Sequence, residues 1–409
     1  MNYNALVMGM KKSGRLKYKP VNVKEIIAEI RNTAELMLDL AYSSILFKEK
    51  HFGEEVIELE KKIDEMIFMG RVSVMLAARG IEEVQNLASV LQIIDSSAHI
   101  SYGAVDLAKI NVSDIGIPSA FLHTFHLIEE TLTSLIVPEK SKAVKISVQK
   151  IENVTGMRII AIKTSTGKWT INPVGDIIIY ANDRLIAKGP FEALEEFEVF
   201  CTGKHEAFPS LSELNEPKIL RHIRETLTEM MMLSLLSIDL AYSSVIFNTK
   251  GIAEEVAAIE DKLEILRSEL EDHILRYAKI VENVLELRGL LRIASASEKI
   301  SDASKDIADI LLSGIGLHPI LLYAIKESDE VITRIEIEEE SQLDGKSIGE
   351  LDIEVETGMN IIALKKPRAG KWQFYPKGDH KLEAADIIIA KGLKEGDNKL
   401  RKLATGKDM

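Results

Sequence analysis

Asp39-Leu40-Ala41-Tyr42-Ser43-Ser44 recurs letter for letter as Asp239-Leu240-Ala241-Tyr242-Ser243-Ser244, 200 residues later in a chain of 409. The register persists outward from this hexapeptide. Glu54-Glu55-Val56 answers Glu254-Glu255-Val256, and Ser113-Asp114-Ile115-Gly116 answers Ser313-Gly314-Ile315-Gly316. Thr155-Gly156-Met157 and Gly167-Lys168-Trp169 return as Thr357-Gly358-Met359 and Gly370-Lys371-Trp372, where the displacement has grown to 202 and 203. A long, nearly gapless repeat marks a duplicated unit, so each half is to be read against the other.

The hexapeptide lies in a helical pattern. Ile26, Ile30, Ala34, Met37 and Ala41 fall three or four residues apart, as do Val56, Leu59, Ile63, Met66 and Ile67. A third run follows in Val84, Leu87, Val90, Leu91, Ile94, Ala98, Val105 and Ala108. Such spacing gives each helix one apolar stripe. Gly53 and Gly80 lie near the expected breaks. Three long helices on short loops close into an antiparallel bundle, and 217–312 repeats the pattern with Pro217 at a first helical position.

Beyond each bundle the period changes. A short helix is expected near 119–128 and 319–327. Strands are then expected at Thr131 to Val137, Arg158 to Lys163, Trp169 to Ile171 and Asp183 to Ala187. Their second-half counterparts are Val331 to Ile337, Asn360 to Lys365, Trp372 to Tyr375 and Asp386 to Ala390, with a closing helix from about 393. The sequence thus predicts an α+β multidomain chain: two antiparallel three-helix bundles, each followed by a small α/β domain. The expected boundaries are a flexible basic tail at 1–21, bundle 22–118, α/β domain 119–202, linker 203–216, bundle 217–318, α/β domain 319–403 and tail 404–409.

Composition narrows the function. A net charge of −13 speaks against a broad nucleic-acid face. Lys11, Lys12, Arg15, Lys17 and Lys19 form a local exception, either a solvated tail or a contact for anionic lipid. Cys201 is the only cysteine, which fits a reducing, cytoplasmic setting. Met230 to Phe247 imitates a membrane span, but Asp239 sits in its middle. A charge there costs about 2.5–3.5 kcal/mol on insertion, so a buried bundle helix and a soluble protein are expected.

Two resemblances now have their residues. Glu298-Lys299-Ile300-Ser301-Asp302-Ala303-Ser304-Lys305-Asp306-Ile307-Ala308 resembles the signature helix of the PhoU family, and Glu260 with Glu264 matches that family's other carboxylate pair. Ser341-x-Leu343-x-Gly345-Lys346-Ser347-Ile348-x-Glu350-Leu351, the strand from Gly358 to Lys365, Pro376 and Asp386-Ile387-Ile388-Ile389 before Gly392 resemble the C-terminal domain of regulators of potassium conductance, the TrkA-C type. The first half departs from both. It has Ala98 and Tyr102 in place of Glu298 and Asp302, and Lys142 to Ile151 in place of the Leu343 to Leu351 element, though it keeps Glu60 and Asp64.

Carboxylates four apart on a helix repel slightly, and two such pairs facing each other suit a hard cation or iron. Glu260, Glu264, Glu298 and Asp302, with Glu60 and Asp64 in the first half, are therefore the candidate ligands of a divalent metal or iron, as the PhoU resemblance implies. The alternative is a set of solvated helix faces. His123 and His126, three apart, are a further pair that a helix could bring to one metal. Gly345-Lys346-Ser347 lacks the earlier glycine of a phosphate loop, having Glu340 instead, and reads as a turn entering a helix. No G-x-G-x-x-G follows a strand, so no NAD is expected, and no nucleophile with its base points to an enzyme.

By resemblance, TrkA-C domains pair across a two-fold seam, and some bind a small anionic ligand such as cyclic di-AMP there. Asn360, Ile361, Ile362, Lys365 and Pro376 would line it; the alternative is core strand with a solvated lysine. The two domains would pair within one chain or across a homodimer. The resemblances imply a soluble regulatory subunit or ligand sensor of potassium transport, peripheral at the membrane through its channel or transporter. The alternative is a metal-binding regulator of phosphate uptake and its signalling, partnered by a phosphate transporter component.

Overall fold

The computed structural model describes residues 21–78, 80–118, 121, 130–173, 175–204, 218–281, 283–314, 317–321, 330–351, 353–367, 372–374, 376 and 378–406. The first half opens with helices α1 (Val23–Phe47), α2 (Lys50–Ala77) and α3 (Ile81–Val112). Asn22 caps α1 by accepting the Lys24 amide at 3.0 Å. The α1–α2 turn is only Lys48 and Glu49, with Lys48 left-handed, so the break precedes Gly53 rather than falling at it. Gly53 instead lies inside α2, where an added Cβ would come within 2.5 Å of Val112. Gly80 does cap α3, as expected.

The first α/β domain follows as β1 (Glu130–Ile136), α4 (Val148–Thr155), β2 (Arg158–Lys163), β3 (Trp169–Ile171), β4 (Arg184–Pro190) and α5 (Phe191–Thr202). Its strands form an antiparallel sheet in the order β1-β4-β2-β3. The second half repeats everything. Its bundle is α6 (Lys218–Phe247), α7 (Lys250–Tyr277) and α8 (Leu287–Leu312). Its α/β domain is β5 (Glu330–Glu336), α9 (Ile353–Thr357), β6 (Met359–Lys365), β7 (Trp372–Phe374), β8 (Ile387–Leu393) and α10 (Lys394–Thr405), in the order β5-β8-β6-β7. The closing helix therefore runs two residues past the expected boundary at 403.

The short helices expected near 119–128 and 319–327 lie largely outside the described residues, as do His123, His126 and the basic tail through residue 20. Phe121 and Leu321, which are described, occupy equivalent buried positions. Helix α6 is long and apolar enough to cross a membrane, yet 78% of its most apolar window is buried inside the protein. It is the bundle helix that Asp239 implied.

The first α/β domain is more complete than its sequence indicates. Lys145 takes the positive φ that Gly345 takes in the second half, and its amide bonds Ile179 O as that of Gly345 bonds Leu382 O. Ser147 and Ser347 each make the matching bridge, to Ile178 and Lys381. Backbone geometry has survived although the side-chain pattern has not. In the second half Ser347 and Glu350 exchange bonds, amide to carboxylate at 2.9 Å and amide to hydroxyl at 3.2 Å, a capping box that accounts for the Gly-Lys-Ser turn.

Each sheet lies between two apolar layers. Alternate residues of β4 and β8 point to opposite faces. Leu185 and Ala187, with Ile388 and Ala390, face the domain's own helices, while Ile186 and Ile389 face the bundles. Gly392 permits the close approach of β8 to β6, since a Cβ there would lie 2.1 Å from Gly358 O. The two bundles do not pack as separate units. Helices α3 and α8 run antiparallel against each other, with Gly103 seated under Ile300, and one apolar core passes through all six helices.

Candidate functional site

The junction of bundles and sheets is built from the repeated hexapeptide. Asp39 and Asp239 sit mid-helix in apolar stretches, where an unpaired carboxylate would be costly. Lys188 on β4 reaches Asp39 at 3.1 Å, and Lys391 on β8 reaches Asp239 at 2.9 Å. Both lysines are nearly buried, because the alternation that turns Ile186 and Ile389 onto the bundle also turns them there. Each bundle is thus tied to its own sheet by an equivalent buried ion pair. Sequence reading found the aspartates and missed the lysines. The signal available was the matched placement of Lys188 and Lys391 in the Ile-Ala-Lys-Gly that both strands share at 186–189 and 389–392.

The hexapeptide tyrosines cross between halves. Tyr242 places its hydroxyl 2.8 Å from Ser97 Oγ on α3, under the Arg31 guanidinium, which stands 4.5 Å from the ring centroid. Tyr42 lies near Ser234 and Ser297 in the second bundle, and burial holds its phenol well above the usual range. Arg31 is itself buried and pairs with Glu35 at 3.0 Å. Arg31 and Glu35 have Met231 and Leu235 at the repeat positions, so this charged pair belongs to the first half alone.

The two α/β domains meet through their helices, α5 of the first against α9 of the second. Glu152 on α4 accepts the Ile159 amide at 2.8 Å, and its carboxyl is pushed up to about 7, chiefly by burial and in smaller part by Glu395 of the other domain. The two domains therefore touch within one chain. The ligand residues inferred from resemblance do not line this seam. Ile361 faces the helices of its own domain and Ile362 the bundle core; Pro376 is buried. Asn360 is half-buried, and Lys365 lies over the Trp372 ring at 5.6 Å. A strand covered on both faces leaves its central side chains little room for a ligand.

The carboxylate cluster is partly assembled. In the second half Glu260, Glu298 and Asp302 come near one another, and burial, then Glu298 and Glu260, raises the Asp302 carboxyl. Cations already occupy the cluster, however. Lys305 bonds Glu260 at 2.7 Å, Arg267 bonds Glu298, and Glu264 is exposed. In the first half Asp64 accepts the Tyr102 hydroxyl at 3.0 Å, and burial raises Glu60 against the pull of Lys109. Among the described residues no group of three or more His, Cys, Asp or Glu side chains is placed to hold a metal ion. As arranged, the residues do not fit the metal that the signature helix implies, because ammonium and guanidinium groups supply its charge.

Comparison with known proteins agrees with this architecture. The family model of the TrkA-C domain matches residues 132–201 and 332–405, and that of the PhoU domain matches residues 227–311. The chain is an α+β multidomain protein carrying two TrkA-C domains and, between them, a PhoU domain. Among solved structures, PhoU from Pseudomonas aeruginosa is similar at 11% identity over 76% of this chain and 100% of that one, with a TM-score of 0.39. The GsuK RCK domain shows 11% identity over 81% and 80%, and the GsuK channel bound to NAD 10% over 79% and 66%, both with a TM-score of 0.19. No curated protein matches.

Proposed function

We propose that this protein is a non-catalytic regulatory subunit of cation transport, with potassium as the transported ion. The observation that carries the reading is the strapping of each TrkA-C sheet to a helical bundle by a buried ion pair, Asp39–Lys188 and Asp239–Lys391. A ligand or partner that alters the α/β pair must then strain or relieve these ties, and the bundles feel it. Linkage of this kind needs a differential interaction with two arrangements and nothing else. The paired domains within one chain supply a two-domain seam without a second copy. The protein works in the cytoplasm, at the membrane face of its transporter.

Potassium flux through the host's transporter, measured in proteoliposomes with and without the full chain, tests this. A change in flux that Lys188→Met and Lys391→Met abolish supports it. Unchanged flux, together with an effect on phosphate uptake instead, transfers the protein to the phosphate-regulator reading that its PhoU domain favours.

A further inference from the structure

The hairpin joining α7 to α8 sorts its apolar side chains into two sets. Tyr277, Ala278, Val281 and Leu287 pack inward on the helical core. Leu275, Ile280, Val284 and Leu285 point to solvent and are 67%, 65%, 50% and 65% exposed. The backbone between them is held in place: the Ile280 amide bonds Tyr277 O at 3.0 Å, and Asn283 Oδ1 accepts the Leu285 amide at 3.2 Å. Their exposure is therefore built into the turn. Exposed Arg276, Lys279 and Arg288 stand among these aliphatic groups. In a chain of net charge −13, residues 275–292 carry four basic and two acidic side chains.

We propose that this hairpin inserts its aliphatic tip into the headgroup layer of an anionic lipid membrane. Aliphatic side chains in a stretch with a net excess of two basic groups match the two forces available there, burial of apolar area and attraction to negative headgroups. The equivalent hairpin of the first half exposes Met75, Leu76, Ile81 and Val84, yet residues 75–92 carry one basic and two acidic side chains. Val84, expected on the apolar stripe of its helix, belongs to this exposed set. Helices α3 and α8 are antiparallel, so the two hairpins project from opposite ends of an assembly whose longest helix has 32 residues. At 1.5 Å per residue that separation is about 48 Å, and a flat bilayer meets one hairpin at a time. Charge selects the second. The proposal deepens the regulatory reading by supplying its membrane contact, but the test requires no transporter.

The full chain is sedimented with vesicles of phosphatidylcholine alone and of phosphatidylcholine with phosphatidylglycerol. Binding to the anionic vesicles is expected to be about tenfold or more stronger and to weaken with salt. Ile280→Glu with Leu285→Glu lowers it by about tenfold or more, and Arg276→Gln with Lys279→Gln lowers it and flattens the salt dependence. Met75→Glu with Leu76→Glu leaves it unchanged. All these side chains are exposed, so thermal unfolding of the variants should match the parent. Absence of binding to anionic vesicles overturns the proposal, as does parental binding by the Ile280/Leu285 variant. Binding only to vesicles that contain a transporter also overturns it and assigns the hairpin to a protein contact. Vesicle binding without any effect on cation flux upholds it and overturns the regulatory reading alone.

Discussion

Tyr42 and Tyr242, the same residue of one repeated hexapeptide, lodge in each other's half of the molecule: Tyr242 bonds Ser97 of the first bundle and Tyr42 faces Ser297 of the second. Ser97 and Ser297 are themselves 200 residues apart, so the exchange is symmetric. It locks two bundles into one core.

Removing one hydroxyl should cost little and removing the ring a great deal. Tyr242→Phe is expected to destabilise by about 1 kcal/mol, since Ser97 keeps its bond to Ile93 O. Tyr242→Ala leaves a cavity beneath Arg31 and should cost about 3–5 kcal/mol. Denaturant unfolding with intrinsic fluorescence measures both, and equal losses would show that the ring is not packed as described.

The ion pairs between bundle and sheet are expected to be strongly coupled. Lys188→Met removes the cation beside the half-buried Asp39 carboxylate and should destabilise by about 1–3 kcal/mol. A double-mutant cycle with Asp39→Asn should return a coupling of about 1 kcal/mol or more. A coupling near zero would mean the sheet is held by apolar contact alone.

Glu152 predicts a pH dependence with a definite sign. Its folded carboxyl is raised to about 7, so the folded state binds the proton more tightly than the unfolded chain does. Its contribution to stability is complete below the ordinary glutamate range and is lost as pH rises through about 7. Glu152→Gln keeps an acceptor for the Ile159 amide and should flatten that slope. Glu395→Gln should lower the Glu152 carboxyl, which carbon-13 NMR titration would read directly, and no change would deny that the two domains meet at this point.

Lys305 and Arg267 stand where a metal's charge would be. The parent protein is expected to retain no stoichiometric metal after purification. Lys305→Ala frees Glu260 beside Asp302 and should raise manganese affinity by about tenfold, an equilibrium change of about 1.4 kcal/mol. Titration calorimetry decides it, and tight manganese binding by the parent would restore the metal centre that the signature helix implies.

Much of this architecture was legible in the chain because periodicity and duplication are local properties. The strand from Arg158 to Lys163, a short apolar run, and the strand from Trp169 to Ile171 follow as the first-half counterparts of Asn360 to Lys365 and Trp372 to Tyr375. The helices of both bundles follow from spacings of three and four. What misled was side-chain identity without position. Lys142 to Ile151 looks unlike its partner segment, yet Lys145 adopts the same left-handed turn as Gly345. Glu260 and Glu298 look like metal ligands until Lys305 and Arg267 each arrive from the facing helix.

By itself the sequence determined the doubled order of helical and strand units, since each element needs only its own apolar period and its own caps. Tertiary structure decided that the halves share one core, that Asp39 and Asp239 are answered by Lys188 and Lys391, and that Ile361 and Ile362 are covered. The reason is physical: burial and ion pairing depend on which surfaces meet, and residues some 150 apart in the chain meet only when the whole fold has closed.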